Sequence, residues 1–168
     1  MKAKGYSLWL MPSHEVHEKL KNIITALSTK FNSPKFEPHL TLLGQLDIPE
    51  EKVRSKTKQL SQNFKSFEIE TRNINFQDNF FKCLFLEVES NQDLQNIHKT
   101  AQEIFNIENN FQPHISLLYS EVAPELKQKL IEQIGQDFSL KIKIEKILLM
   151  KTEGEVKDWV PVAEYMLK

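Results

Sequence analysis

The chain is poor in cysteine. Cys83 is the only one in 168 residues, so no disulfide can form within it. A single thiol in a chain of this length fits a reducing compartment, and a cytoplasmic protein is expected. Cys83 sits in the apolar run Phe80-Phe81-Lys82-Cys83-Leu84-Phe85, which reads as a buried thiol rather than a nucleophile. Long apolar runs are also missing. No stretch approaches the ~20 residues of a membrane span. The opening Met1-Lys2-Ala3-Lys4-Gly5 and the apolar residues after it are too short and too aromatic for a signal peptide. An excess of one charge is missing too: 22 basic and 23 acidic side chains give a net charge of −1. Neither a membrane surface nor a long nucleic acid is therefore the expected partner. No Gly/Ser-rich linker or low-complexity tract divides the chain, so residues 1–168 are expected to form a single domain, as a monomer.

What is present is an ordinary globular composition, 40% hydrophobic and 27% charged, in a chain long enough to bury a core. Residues 5–11 read as a strand ended by Pro12. Ser13 can cap a helix to about Thr29, with Val16, Leu20, Ile23, Ile24 and Leu27 at helical spacing. A strand follows at 38–44, ended by Gly44, and Pro49 opens a helix to about Asn63. Strands at 66–76 and 80–89 read as a hairpin about Asp78-Asn79. Asn91 or Gln92 then opens a helix to about Phe105. A strand at 113–119, a helix from Pro124 to Ile134, a strand at 138–149 and a last strand near 158–166 complete the pattern.

One peptide occurs twice. Phe36-Glu37-Pro38-His39-Leu40-Thr41-Leu42-Leu43 returns as Phe111-Gln112-Pro113-His114-Ile115-Ser116-Leu117-Leu118. In a strand, residues two apart share a face. His39 and Thr41 therefore point one way and Leu40 and Leu42 the other; His114 and Ser116 repeat this. The strand before each motif lies at a matching offset, which argues for an internal duplication with two motif strands across a central cleft.

Two imidazoles with adjacent hydroxyls suit acid–base work on a phosphoryl group. Near neutral pH one histidine can be neutral and take a proton, and another charged and give one. Thr41 and Ser116 can donate hydrogen bonds to phosphoryl oxygens. The reaction that asks for this set is the opening of a cyclic phosphodiester by water. The rival is a metal site, but His39 and His114 supply only two ligands, and zinc wants three or four. His14 and His17 could pair on a helix, yet no Cys, Asp or Glu pattern completes a set. With His98 they read as surface helix residues. No metal and no cofactor are expected.

The paired His-x-Thr and His-x-Ser motifs resemble those of the 2H phosphoesterase superfamily. Tyr6-Ser7-Leu8-Trp9-Leu10-Met11-Pro12, His114-Ile115-Ser116-Leu117-Leu118-Tyr119 and Trp159-Val160-Pro161-Val162-Ala163 look like the plant and yeast-type cyclic phosphodiesterases within it. The resemblance implies an α+β fold of two lobes, each an antiparallel sheet backed by helices, around a central groove. It implies metal-independent hydrolysis of ADP-ribose 1″,2″-cyclic phosphate to the 1″-phosphate, and of nucleoside 2′,3′-cyclic phosphates to 2′-phosphates. His39 and His114 would be the catalytic pair, with His114 as base and His39 as acid. Thr41, Ser116 and Tyr119 would hold the phosphate, and Trp9 and Phe81 would line the groove. Alternation places residue 119 on the face away from His114, so the strand must end or bulge there to bring Tyr119 in. Plant members carry several cysteines; with Cys83 alone, no disulfide control can operate within this chain.

The expected partner is a small cyclic-phosphate nucleotide. Two alternatives stand beside it. One is an RNA-end 2′,3′-cyclic phosphodiesterase or 2′,5′-ligase-like enzyme, which would carry more basic residues near the second motif, where this chain has Tyr119-Ser120-Glu121. The other is a non-catalytic nucleotide-binding module.

Overall fold

A computed structural model describes residues 2–168. The first half of the chain runs β1 (Tyr6–Pro12), α1 (His14–Lys30), β2 (Leu40–Leu46), α2 (Glu50–Gln62) and β3 (Phe67–Phe76). The second repeats the order with β4 (Leu84–Val88), α3 (Gln92–Phe105), β5 (His114–Leu118), α4 (Pro124–Ile134) and β6 (Lys141–Lys151), then adds β7 (Val160–Met166). The fold is α+β, and all strand pairs are antiparallel. No described helix is long and apolar enough to cross a membrane.

The sheet shows how the two halves combine. β1 lies between β2 and β6, and β4 lies between β5 and β3. Each half thus lends its last strand to a neighbour: β3 pairs with β4 of the second half, and β6 with β1 of the first. One edge of β6 is shared, with β3 along residues 141–144 and β7 along 146–151. The lobes also meet where the two motif strands touch, through the single pair Leu40↔Ile115. The result is one continuous sheet rather than two separate ones.

Burial follows the period-two pattern. Leu8, Leu10, Leu40, Leu42, Ile115, Leu117, Ile147 and Leu149 point into one core beneath the helices. A second, smaller cluster lies on the opposite face, built from Trp9, Met11, Leu148 and Met150 with Trp159 against it. That face forms the cleft.

Several elements differ in detail from their sequence signals. β2 continues past Gly44 to Leu46, with Gln45 in the left-handed region at φ 57°. Gly44 has ordinary backbone, so its small size does not stop the strand. Residues 80–82 form a 3-10 turn instead of opening β4, and the side chain of Asn79 accepts from the Phe81 N–H. Ser13 precedes α1 but makes no capping bond, whereas Asn91 caps α3 through the Leu94 N–H at 2.9 Å. His98 is buried, not on the surface: it stacks on Phe111 at 4.0 Å and bonds to Asn109 at 3.0 Å. The apolar face of α3 places it toward the loop that leads into β5. Cys83 is fully buried, and desolvation raises its thiol pKa.

Candidate active site

The seam between β2 and β5 brings the two motifs together. Antiparallel register about Leu40↔Ile115 sets His39 beside Ser116 and Thr41 beside His114. All four side chains line one pocket of about 240 Å³, with Trp9, Phe81, Tyr119 and Trp159 in its walls. Every residue read from the sequence as a site candidate is at this pocket.

The two histidines are held alike. His39 Nδ1 lies 2.6 Å from the carbonyl oxygen of Glu37, and His114 Nδ1 lies 2.7 Å from that of Gln112. A carbonyl only accepts, so each Nδ1 carries the hydrogen and each neutral ring keeps its lone pair on Nε2. The two acceptors are at matching positions of the repeated peptide. The flanking strands repeat the pattern as well. Trp9 lies across from Thr41 and stacks on His39 at 3.6 Å and 7°. Phe85 lies across from Ser116 and packs edge-on against His114 at 5.5 Å.

Their environments differ. His39 is only 5% exposed, and burial pushes its pKa down to about 3, with the nearby His114 adding to the effect. His114 is half-buried; its pKa is also lowered, first by desolvation and then by the Lys82 ammonium. Both shifts favour the neutral ring at pH 7.

The remaining candidates fill the walls. Ser116 Oγ donates to the Phe81 carbonyl at 2.9 Å, which ties β5 to the 3-10 turn. Tyr119 lies one residue past the end of β5, and this break in alternation brings it into the pocket wall. Its ring stacks on Phe36 at 3.7 Å, and burial raises its hydroxyl pKa. Trp9 is 2% exposed, because its faces are taken by His39 and the edge-on Trp159. It supports the imidazole more than it offers a surface to a base. Phe81 is half-buried and stacks with Trp159 at 5.8 Å.

Among the lining residues that were not sequence candidates are Trp159, Ser7 and Thr152. Trp159 stood in the matched C-terminal peptide, but nothing in its local pattern placed it over the cleft. Its indole N–H is buried with no partner among the described residues. Ser7 and Thr152 face each other at 3.2 Å on β1 and just beyond β6, and both line the pocket. A hydroxyl at residue 7, in step with Trp9, was the available signal. Among the described residues, no three His, Cys, Asp or Glu side chains gather as a metal-ligand set. His17 is engaged by Glu37 at 2.9 Å.

Residues 4–167 match the family described as cyclic phosphodiesterase-like protein. A cyclic phosphodiesterase of Arabidopsis thaliana is 26% identical over 172 residues, 97% of this chain and 95% of its own. A 2′,3′-cyclic-nucleotide 3′-phosphodiesterase of Kluyveromyces lactis is 31% identical over 153 residues, 79% of this chain and 71% of its own. Among solved structures, TT0787 of Thermus thermophilus superposes with a TM-score of 0.70 at 18% identity, over 97% of both chains. E. coli LigT complexed with 3′-AMP does so at 0.61 and 14%, over 99% of both. The duplicated motifs, the shared pocket and a match along almost the whole chain lead to one assignment: the chain belongs to the cyclic phosphodiesterase-like family of the 2H phosphoesterases.

Proposed function

We propose that this pocket opens small cyclic phosphodiesters with water, using His39 and His114 as its acid–base pair and no metal. The observation that carries the reading is the pair of Nδ1-anchored imidazoles converging on one pocket, each beside a hydroxyl of the other motif. The substrates are nucleoside 2′,3′-cyclic phosphates, opened to 2′-phosphates, and ADP-ribose 1″,2″-cyclic phosphate, opened to the 1″-phosphate. The yeast relatives' names specify a 3′-phosphodiesterase, in line with cleavage at the 3′ oxygen.

The bond changes are these. One neutral imidazole takes a proton from water as its oxygen bonds to phosphorus. The phosphorus–O3′ bond breaks, and the other, protonated imidazole gives its Nε2 proton to O3′. Thr41 stabilises the negative charge growing on the phosphoryl oxygens, and Ser116 joins it when its hydroxyl hydrogen turns from the Phe81 carbonyl.

The expectation from the sequence leans to His114 as the base. The burial of His39 supports the opposite assignment, which we adopt. His39 stays neutral over the whole working range, and the face of Trp9 stabilises the imidazolium formed when it takes a proton. His114 reaches solvent and regains its proton there. The negative charge of a bound cyclic phosphate raises the pKa of both rings.

The test is incubation in EDTA with ADP-ribose 1″,2″-cyclic phosphate and the four 2′,3′-cyclic nucleotides, followed by phosphorus NMR. A monoester resonance is expected, assigned to the 2′- or 1″-phosphate. Unchanged spectra for all five would reject the reading. Turnover only after a divalent metal is restored would reject its metal-free chemistry.

A further inference from the structure

The repeat generates two grooves, one beside each histidine. On the first, at the Met11 end of β1, the cleft opens into a space of about 750 Å³ with Met11, Leu148, Met150 and Trp159 in its walls. On the second, at the equivalent end of β4, it opens into about 530 Å³ lined by Lys82, Phe85, Gln112 and Arg72. Trp9 and Phe85 hold matching positions beside Thr41 and Ser116, so the two grooves lie on opposite flanks of the seam. The first joins an apolar, aromatic face to four glutamates, Glu18, Glu37, Glu145 and Glu164, which repel a phosphate. The second holds two cations, Lys82 and Arg72, beside Glu87 and Glu89.

Lys82 stands where the second groove meets the catalytic pocket. Its neighbour Phe81 lines the pocket, while Lys82 lines the groove. The ammonium bonds to the Gln112 side-chain oxygen at 3.0 Å and sits 4.7 Å from the centre of the Phe85 ring, the ring packed against His114. Its backbone is fixed by Lys82 N–H to Asn79 carbonyl and Gln77 N–H to Lys82 carbonyl bonds, both 3.1 Å. Of the other charges of the groove, Arg72 pairs with Glu89, while Glu87 accepts from the neutral amide of Asn75 and keeps its charge near Lys82. Among the described residues Lys82 has only a neutral amide, so two of its three donor hydrogens are free.

Ribose geometry fits this asymmetry. When the 2′,3′ edge carries the cyclic phosphate into the pocket, C1′ with its base lies to one side and C4′ with its 5′ carbon to the other. A base suits the apolar groove. A negative group on the 5′ carbon suits Lys82.

We propose that Lys82 binds a second phosphate, carried on the 5′ carbon of the ribose, and so selects cyclic phosphates that bear one. This deepens the proposed function and rests on it, since it favours nucleoside 2′,3′-cyclic phosphates that carry a 5′-phosphate over those that do not. It also places O3′ on the His114 side, in agreement with His114 as the acid.

Calorimetry with two product-like ligands tests it without requiring turnover. Adenosine 2′,5′-bisphosphate should bind about tenfold more tightly than adenosine 2′-phosphate, as one charge-assisted contact supplies. In Lys82→Met the ratio should fall to about one, and Lys82→Arg should keep most of it. Equal binding to the wild type, or a ratio that survives in Lys82→Met, overturns the inference. Hydrolysis of 2′,3′-cyclic AMP is followed in parallel. If the ratio holds while no cyclic phosphate is opened, the Lys82 site stands and the proposed activity falls.

Discussion

His39 is surrounded by groups that discourage a charge on its ring: apolar walls and a second imidazole. Two outcomes follow at the scale of single residues. The first concerns rate. Replacing either histidine by alanine should cost about 10²–10⁴-fold in turnover with the fold retained. With His39 as base, His39→Ala should lose the acidic limb of the pH–rate profile and His114→Ala the alkaline limb; exchanged limbs would exchange the roles. The second concerns stability. The folded His39 pKa of about 3 lies below the usual 6.5, so between those values the unfolded chain binds the proton and the folded chain does not. This contribution is present above pH 6.5 and is lost as pH falls toward 3, at up to about 1.4 kcal/mol per pH unit. Urea unfolding at pH 7, 5 and 4 should show a smaller drop for His39→Gln than for the wild type. An equal drop would mean that other groups set the acid sensitivity.

At the scale of elements, the 3-10 turn at Phe80–Lys82 presents Phe81 to the pocket and Lys82 to its flank, and α4 holds it there. Lys127 reaches from α4 beneath the turn, 2% exposed, and donates to the Gln77 carbonyl at 2.8 Å and to Asp78 at 2.7 Å. Lys127→Met should leave that carbonyl without its donor and cost about 1–3 kcal/mol. Amide exchange should quicken at residues 77–82 more than in β1. A uniform change across the chain would deny Lys127 its local role. The sequence showed the helices and motif strands well, because their periodicity is local. It did not show this turn: Phe80-Phe81-Lys82-Cys83-Leu84-Phe85 has the composition of a strand, and only the Asn79 bond and the tether from α4, 49 residues away, redirect it. The burial of His98 was hidden likewise, because its partner Phe111 lies in the following loop.

At the scale of the whole molecule, the halves are interlocked by their last strands. β3 finishes the sheet of the second half, and β6 finishes that of the first. Fragments 2–77 and 80–168 should therefore each lack dispersed NMR signals alone and regain them when mixed; a fragment that folds alone would contradict the interlock. The duplication could be read from the repeated octapeptide, but the exchange of strands could not, since β3 and β6 carry only their alternating pattern and not their choice of neighbour. Trp159, Ser7 and Thr152 escaped notice for the same reason: only the pairing of β1, β6 and β7 carries them to the pocket.

Leu40 and Ile115 form the one rung by which the two motif strands touch. The separation of the two imidazoles is thus counted in residues, not tuned in ångströms. Inserting a residue between either histidine and that rung would turn its ring to the opposite face. The walls of the cleft can be rebuilt by graded substitution to suit new ligands. The gap between the two rings can only be kept or lost.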